Sequence, residues 1–324
     1  MNILLFGSTG MLGYELAQTF KAMKNVNLTE VTRSQIRILD DDQIQIDDIK
    51  IFLTNILFSN KITHIVNCLA YTDTKKVETD QSARAEAFKL NVIFPRVLAE
   101  FCEDHNLALV HISTDYVFSE HSRNDKYDLE CPMTTYGDHK LLAELYIKNI
   151  MKSKNYMILR VGWIYGTNRR KSFIHKFLKN CVEAIKRHNG PYSGIPCEVP
   201  VVDNQISTPT SCNFVANTIN DIFSMYMFSR YRKSSVAPSG EASRADFAEE
   251  ILNNIRVFDD RFDNVVVKRY NDERVEPKRT TLSKFDKMNF VRCQEKLISW
   301  KTDLKRFMRG NKDEILAYIE ELFK

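Results

Sequence analysis

Tyr136 and Lys140 stand four residues apart in Tyr136-Gly137-Asp138-His139-Lys140, and on a helix that spacing puts both side chains on one face. A phenol with a pKa of about 10 is a poor acid or base at neutral pH, but a neighbouring ammonium favours the phenolate and draws the group toward the working range. The pair therefore suits proton transfer at an oxygen. Tyr-x-x-x-Lys alone is a common pattern, so its meaning depends on its surroundings. Upstream, Leu109-Val110-His111-Ile112-Ser113-Thr114-Asp115-Tyr116-Val117-Phe118 reads as a strand ending in hydroxyl residues. Ligands of open α/β sheets bind at the carboxyl ends of strands. Ser113 and Thr114 are accordingly expected to face a ligand crevice, with Thr114 placed to hydrogen-bond a carbonyl oxygen.

A second constellation is Gly7-Ser8-Thr9-Gly10-Met11-Leu12-Gly13, directly after an apolar run and opening an amphipathic one. Glycines there permit a tight turn, close approach of a pyrophosphate and tight helix–strand packing, while the helix N-terminus offers N–H donors. The segment through Gly7, Thr9, Gly10, Met11, Leu12 and Gly13 is expected to cradle a dinucleotide. The second strand runs out at Val31-Thr32-Arg33-Ser34, with no acid to receive the ribose hydroxyls. Arg33 instead suits a 2′-phosphate, which favours NADPH and leaves NADH as the alternative. Asp40 either lies near the adenine or caps the next helix.

Elements must hold these groups in place. Residues 3–6, 28–32, 64–69, 108–113 and 157–161 read as buried strands, and residues 11–23, 83–104 and 137–151 carry apolar side chains at helical spacing. Such alternation predicts an α/β fold, a Rossmann-type doubly wound parallel sheet with helices on both faces. The rhythm weakens after Gly166, and residues 189–200 read as a Gly- and Pro-rich loop. Helices at 213–226 and 242–255, a strand at 265–270 and a closing helix within 302–323 predict a smaller C-terminal lobe. The nucleotide-binding domain is expected over 1–165, with 199–235 returning to it, and the substrate-binding lobe over 166–198 and 236–324.

Composition excludes little but directs the reading. Lys and Arg number 46 against 42 Asp and Glu, for a net charge of +4, which gives no ground for a nucleic-acid partner. No leader-like start and no apolar run of bilayer length are present, so the expected location is cytoplasmic, without a membrane partner. Seven cysteines without a Cys-x-x-Cys pair argue against a disulfide framework and against a metal site.

The runs Val66-Asn67-Cys68-Leu69-Ala70-Tyr71-Thr72, Leu90-Asn91, Ser113-Thr114-Asp115-Tyr116-Val117-Phe118 and Tyr136-Gly137-x-x-Lys140-Leu141-x-x-Glu144 follow in an order that resembles the dTDP-4-dehydrorhamnose reductase family. Arg160-Val161-Gly162-Trp163-Ile164-Tyr165-Gly166 and Val201-Val202-Asp203-Asn204-Gln205-Ile206-Ser207-Thr208-Pro209-Thr210 are similar to its later segments, so the resemblance covers about residues 1–215. It implies a catalytic set of Thr114, Tyr136 and Lys140. It also implies cofactor contacts at Asn67, Ala70, Tyr71, Asn91 and Ser113, and substrate contacts at Asp115, Tyr116 and Trp163. The chain departs from the family pattern at Thr74-Lys75 and Phe118-Ser119-Glu120, and only loosely matches its Arg-Pro segment, where Arg274 and Lys278 or Arg279 would meet a diphosphate.

The implied activity is NAD(P)H-dependent reduction of the 4-keto group of a nucleotide-linked 6-deoxyhexose, with the sugar nucleotide as partner and a homodimer left open. Two rivals share the fold. One is a non-catalytic binding protein similar to the regulatory β subunit of methionine adenosyltransferase; the other is a nucleotide-sugar epimerase or dehydratase. A dehydratase needs a second acid that Thr114-Asp115-Tyr116 lacks.

Overall fold

A computed structural model describes residues 1–32, 35–36, 46–118, 130–167, 172–188, 190–192, 194–224, 232–272 and 298–324. The first half runs β1 (Asn2–Phe6), α1 (Met11–Ala22), β2 (Asn27–Val31), α2 (Ile46–Asn60), β3 (His64–Asn67), α3 (Thr74–Thr79), α4 (Gln81–Phe88), α5 (Phe94–Asp104), β4 (Ala108–Thr114), α6 (Thr135–Ile150) and β5 (Tyr156–Val161). The second half runs β6 (Trp163–Tyr165), α7 (Phe173–Arg187), β7 (Cys197–Val202), β8 (Ile206–Ser207), β9 (Pro209–Ser211), α8 (Cys212–Ser224) and β10 (Lys233–Val236). It closes with β11 (Ala242–Ser243), α9 (Arg244–Ile255), β12 (Val265–Tyr270), α10 (Trp300–Gly310) and α11 (Lys312–Phe323).

Six strands pair in parallel in the order β10-β5-β4-β3-β1-β2, the doubly wound sheet that the sequence predicts. Successive side chains of β1 alternate between two cores: Leu4 and Phe6 pack with residues of α2, α5 and α6, while Ile3 and Leu5 pack with α1 and α8. Burial on both faces is why these strands read as unbroken apolar runs. A separate core joins α7, β7, α9, β12, α10 and α11, and β7 pairs with β12 in a sheet of two strands. Residues 197–202 thus lie in the smaller sheet, while 233–236 supply the edge strand of the larger one.

Several elements differ from expectation. The single helix expected over 83–104 is broken between α4 and α5 by a π-turn at Lys89–Ile93. Pro95 sits in the first turn of α5 and has no N–H to return to the carbonyl four residues back, so the ladder widens there. The closing helix is two helices, with Asn311 ending α10. Residues 189–200, expected as loop, contain the start of β7, whose Cys197, Val199 and Val201 are buried and whose Glu198 and Pro200 are exposed. In addition, α2 and α7 form where no helix was assigned. In α7, Ile174, Phe177, Leu178, Cys181, Val182 and Ile185 are all buried, a spacing that lies in plain view along the sequence.

Candidate active site

The glycine turn follows β1. Gly7 has φ +81°, a left-handed backbone that favours glycine, and a Cβ on Gly13 would stand 2.0 Å from the Gly7 carbonyl oxygen. The first turn of α1 therefore lies flat against the loop that precedes it. Gly10 occupies its N-cap without a side-chain hydrogen bond, so the N–H groups of that first turn face outward past Gly10 and Thr9, both exposed, as an anion site requires. Met11 is half-buried, while Leu12 points into the core at 5% exposure and can offer a ligand only its backbone. Arg33 and Asp40 lie outside the described residues.

Parallel register sets the next group. Phe6 pairs with Asn67 and Asn67 with His111, which places an amide and an imidazole side by side at the carboxyl end of the sheet. Leu69 N–H donates to Asn67 Oδ1 at 3.0 Å, so the Asn67 amide must turn Nδ2 toward His111 Nδ1, 3.2 Å away. The other ring nitrogen of His111, Nε2, faces α6. Lys140 Nζ lies 3.1 Å from that Nε2 and donates to the Ile112 carbonyl at 2.7 Å. Burial lowers the Lys140 ammonium to about 8, with Glu144 and Cys68 pulling it back up. Burial, with Lys140 adding, also holds His111 well below its ordinary value.

Tyr136 opens the same helix, α6, which is capped by Thr134 accepting from Gly137 N–H at 3.0 Å. A Cβ at Gly137 would come within 2.4 Å of the Tyr116 carbonyl oxygen, so glycine lets α6 press against the turn that follows β4. That turn, residues 115–117, carries Asp115 and Tyr116. The rings of Tyr116 and Tyr136 meet edge to face at 5.3 Å. Burial pushes the Tyr136 phenol above its ordinary value and Asp115 adds to this, while a hydrogen bond with Thr114 works the other way. Thr114, Tyr136 and Lys140 are all nine-tenths buried or more. Asp115 is 1% exposed, accepting from Ser207 Oγ at 2.7 Å and from Thr114 Oγ1 at 3.2 Å.

Three expected contacts are placed otherwise. Ser113 does not present its hydroxyl to the crevice: Oγ donates to Glu144 Oε1 at 2.5 Å, because that side chain faces α6, as His111 does two residues earlier. Asn91 turns its amide to the backbone of the Tyr71 loop: it brackets Tyr71, accepting from Tyr71 N–H at 2.9 Å and donating to the Tyr71 carbonyl at 3.0 Å, and so fixes the half-buried Ala70-Tyr71 segment above the sheet. Trp163 is only 6% exposed, and its ring is covered by the Arg244 guanidinium 3.6 Å from the centroid. That ring face is closed to a stacked hexose. Arg274, Lys278 and Arg279 lie outside the described residues.

Two residues at the site carried no assigned role in the sequence. His111 could have been found, since it is the imidazole inside the apolar strand Ala108–Thr114, and a buried polar residue demands a partner. Arg244 follows a Ser243 capping box at the start of α9, and no spacing along the chain connects it to Trp163.

The sequence pattern of the family described as "RmlD substrate binding domain" matches residues 1–312. Among relatives, a "dTDP-4-keto-6-deoxy-D-glucose reductase" of Streptomyces niveus is 29% identical over 209 residues, 64% of this chain and 63% of that protein. A "dTDP-4-dehydrorhamnose reductase" of Mycolicibacterium smegmatis is 29% identical over 212 residues, 64% of this chain and 56% of that protein. The match thus spans about three-fifths of these relatives' length. A solved dTDP-4-dehydrorhamnose reductase of Clostridium acetobutylicum superposes with TM-score 0.77 at 25% identity, covering 96% of this chain and all of the other. One from Bacillus anthracis, solved in complex with NADP, gives 0.76 at 22% identity, covering 95% and 99%. A dTDP-glucose 4,6-dehydratase of the same organism shares the fold at 0.67 and 15% identity, so the fold alone does not choose the reaction. With the family pattern running nearly end to end and the glycine turn, phenol and lysine all in place at the carboxyl end of one sheet, this chain belongs to the RmlD substrate binding domain family.

Proposed function

We propose that the chain reduces the 4-keto group of a nucleotide-linked 4-keto-6-deoxyhexose with NADPH. The observation that carries the reading is the Tyr136 phenol buried beside Thr114 and Asp115 on the helix that also buries Lys140. The names of the relatives support the substrate class, and the bound NADP of the Bacillus anthracis protein supports the cofactor. The glycine turn, with Thr9 and Gly10 exposed at the start of α1, suits a pyrophosphate. NADPH held there supplies the hydride. Thr114 orients the carbonyl, and Tyr136 passes its proton to the nascent alkoxide. The phenolate left behind is buried beside Asp115, so the Lys140 ammonium has its largest effect at that moment.

Purified protein is expected to oxidise NADPH when a dTDP- or UDP-linked 4-keto-6-deoxyhexose is added and not otherwise. Absence of consumption across a panel of such sugars, with NADPH and NADH both tried, rules the reading out. The Lys140 geometry adds a pH signature. Its folded value is lowered to about 8, so the proton is lost as pH rises through that point, and kcat/KM is expected to fall on the alkaline side of about 8. In Lys140→Arg, where the cation cannot be lost in this range, that limb disappears along with most of the activity. A limb that stays put in the variant assigns it to another group.

A further inference from the structure

Several arginines are matched to acids. Arg160 meets Glu144 and Glu130, Arg261 meets Asp259 and Glu320, and Arg269 meets Asp203, Asp246 and Glu249. Arg244 is not. Its Nε reaches Gln205 Oε1 at a long 3.5 Å, and among the described residues no carboxylate lies within ion-pair distance of it. The nearest acid in electrostatic terms is Asp115, whose oxygens already accept from Ser207 and Thr114. Burial lowers the Arg244 guanidinium to about 10 even so.

The setting of this cation is well defined. Its plane is held by Trp163 at 3.6 Å and Phe173 at 5.1 Å, which fixes the direction of the remaining N–H donors. Beside it, Trp163 Nε1 is buried with no hydrogen-bond partner among the described residues. The strand carrying Trp163 lies close to the site: a Cβ on Gly162 would stand 3.3 Å from Asp115 Oδ2. Two kinds of donor, one of them charged, are thus left unfilled among the described residues, close to Asp115. Such groups destabilise a fold unless a ligand completes them.

We propose that Arg244, with Trp163 Nε1 beside it, is the fork that binds the diphosphate of the sugar nucleotide. This rests on the sugar-nucleotide reading above and names a binding group for it. Charge and valence select the ligand group. A sugar hydroxyl takes one donor and leaves the cation uncompensated, whereas adjacent oxygens of a phosphate fill two parallel N–H bonds and balance the charge. The assignment also explains why a buried cation with no carboxylate partner among the described residues is retained against Trp163.

The test reads binding and stability, not turnover, so it stays informative whether or not reduction is observed. Melting midpoints and calorimetric affinities for dTDP, UDP and thymidine are measured on the wild-type chain, Arg244→Met, Arg244→Lys and Trp163→Phe. Arg244→Met is expected to melt higher than wild type without ligand, since an uncompensated buried charge is gone. Its affinity for dTDP and UDP should fall at least about tenfold, and for thymidine by less than about twofold. Arg244→Lys loses the fork and recovers little, and Trp163→Phe keeps the stack but weakens both diphosphates by about threefold. The proposal is overturned if wild type binds neither diphosphate, if Arg244→Met melts lower and binds dTDP as wild type does, or if thymidine weakens in the same proportion. Should Arg244→Met fail to fold, wild-type affinity for dTDP in both Arg244→Lys and Trp163→Phe overturns it equally.

Discussion

Tyr136→Phe is expected to lower kcat for a 4-keto sugar nucleotide about 10³-fold, the range for loss of a positioned general acid. NADPH affinity should change by less than about twofold, because the hydroxyl acts only as the carbonyl becomes an alkoxide. The phenol sits against Thr114, Asp115 and the edge of Tyr116, a buried setting where water cannot readily substitute as donor. Stability is expected to move by no more than about 1 kcal/mol, since one hydrogen bond is lost and no charge is exposed. Fluorescence titration of NADPH separates binding from chemistry, and steady-state consumption gives kcat. Wild-type turnover in the variant would remove Tyr136 as proton donor, while a collapse of NADPH affinity would make it a cofactor-binding group instead.

Fold class was legible because the strands of the large sheet are buried on both faces. Runs such as Asn2–Phe6 and Tyr156–Val161 carry little polar interruption, and that is a signal local enough to read. Boundaries were harder where a single residue acts on the backbone. Pro95 opens the π-turn at Lys89–Ile93, yet in sequence it looks like one proline within a long apolar periodicity. The smaller lobe was read least well, and β7 shows why. Its alternation of buried Cys197, Val199 and Val201 with exposed Glu198 and Pro200 is a strand pattern, but Pro200 and the preceding Gly-Pro segment suggest a loop. Pairing with β12, more than sixty residues later, is what decides it.

At the site, order along the chain identified which segments converge, and chemistry of each residue type suggested a role. Direction was the missing variable. Ser113 and Thr114 are neighbours in sequence, but Ser113 faces Glu144 on α6 while Thr114 meets Asp115 and Tyr136. Asn91 carries an amide suited to a cofactor hydroxyl, yet one oxygen site and one N–H of it are taken by the Tyr71 backbone. Neither choice can be read from spacing, since each depends on which neighbour offers the complementary donor or acceptor. The His111–Lys140 contact and the Arg244–Trp163 stack are the same kind of fact: pairs separated by 29 and 81 positions, made adjacent only by the sheet and by the docking of the lobe.

Arg160→Met is expected to destabilise the protein by about 3–5 kcal/mol, because it strands a buried carboxylate. Arg160 and Glu144 are each 3% exposed; Nη2 meets Glu144 Oε2 at 2.5 Å, Nε meets Oε1 at 2.9 Å, and a further bond reaches Glu130 at 2.9 Å. The pair joins β5 to α6, and Ser113 adds β4 through its bond to the same carboxylate. Burial would raise Glu130, but its bonds to Lys233 and Arg160 outweigh that and hold it at about 2. Its share of stability is therefore full above the ordinary glutamate value and is lost as pH falls toward about 2, a resistance to acid that the variant should lose only in part, since Lys233 still holds the carboxylate. Glu144 also lies one turn beyond Lys140 and raises its pKa, so removing Arg160 exposes Lys140 to an uncompensated anion and shifts the alkaline limb of kcat/KM upward. A second substitution, Glu144→Met, restores most of the stability by removing the stranded charge, and the limb then falls below its wild-type position. Denaturant midpoints and pH profiles on the two variants check both halves. A cost under about 1 kcal/mol for Arg160→Met would mean that the Glu144 carboxyl is neutralised or held by Ser113 without Arg160.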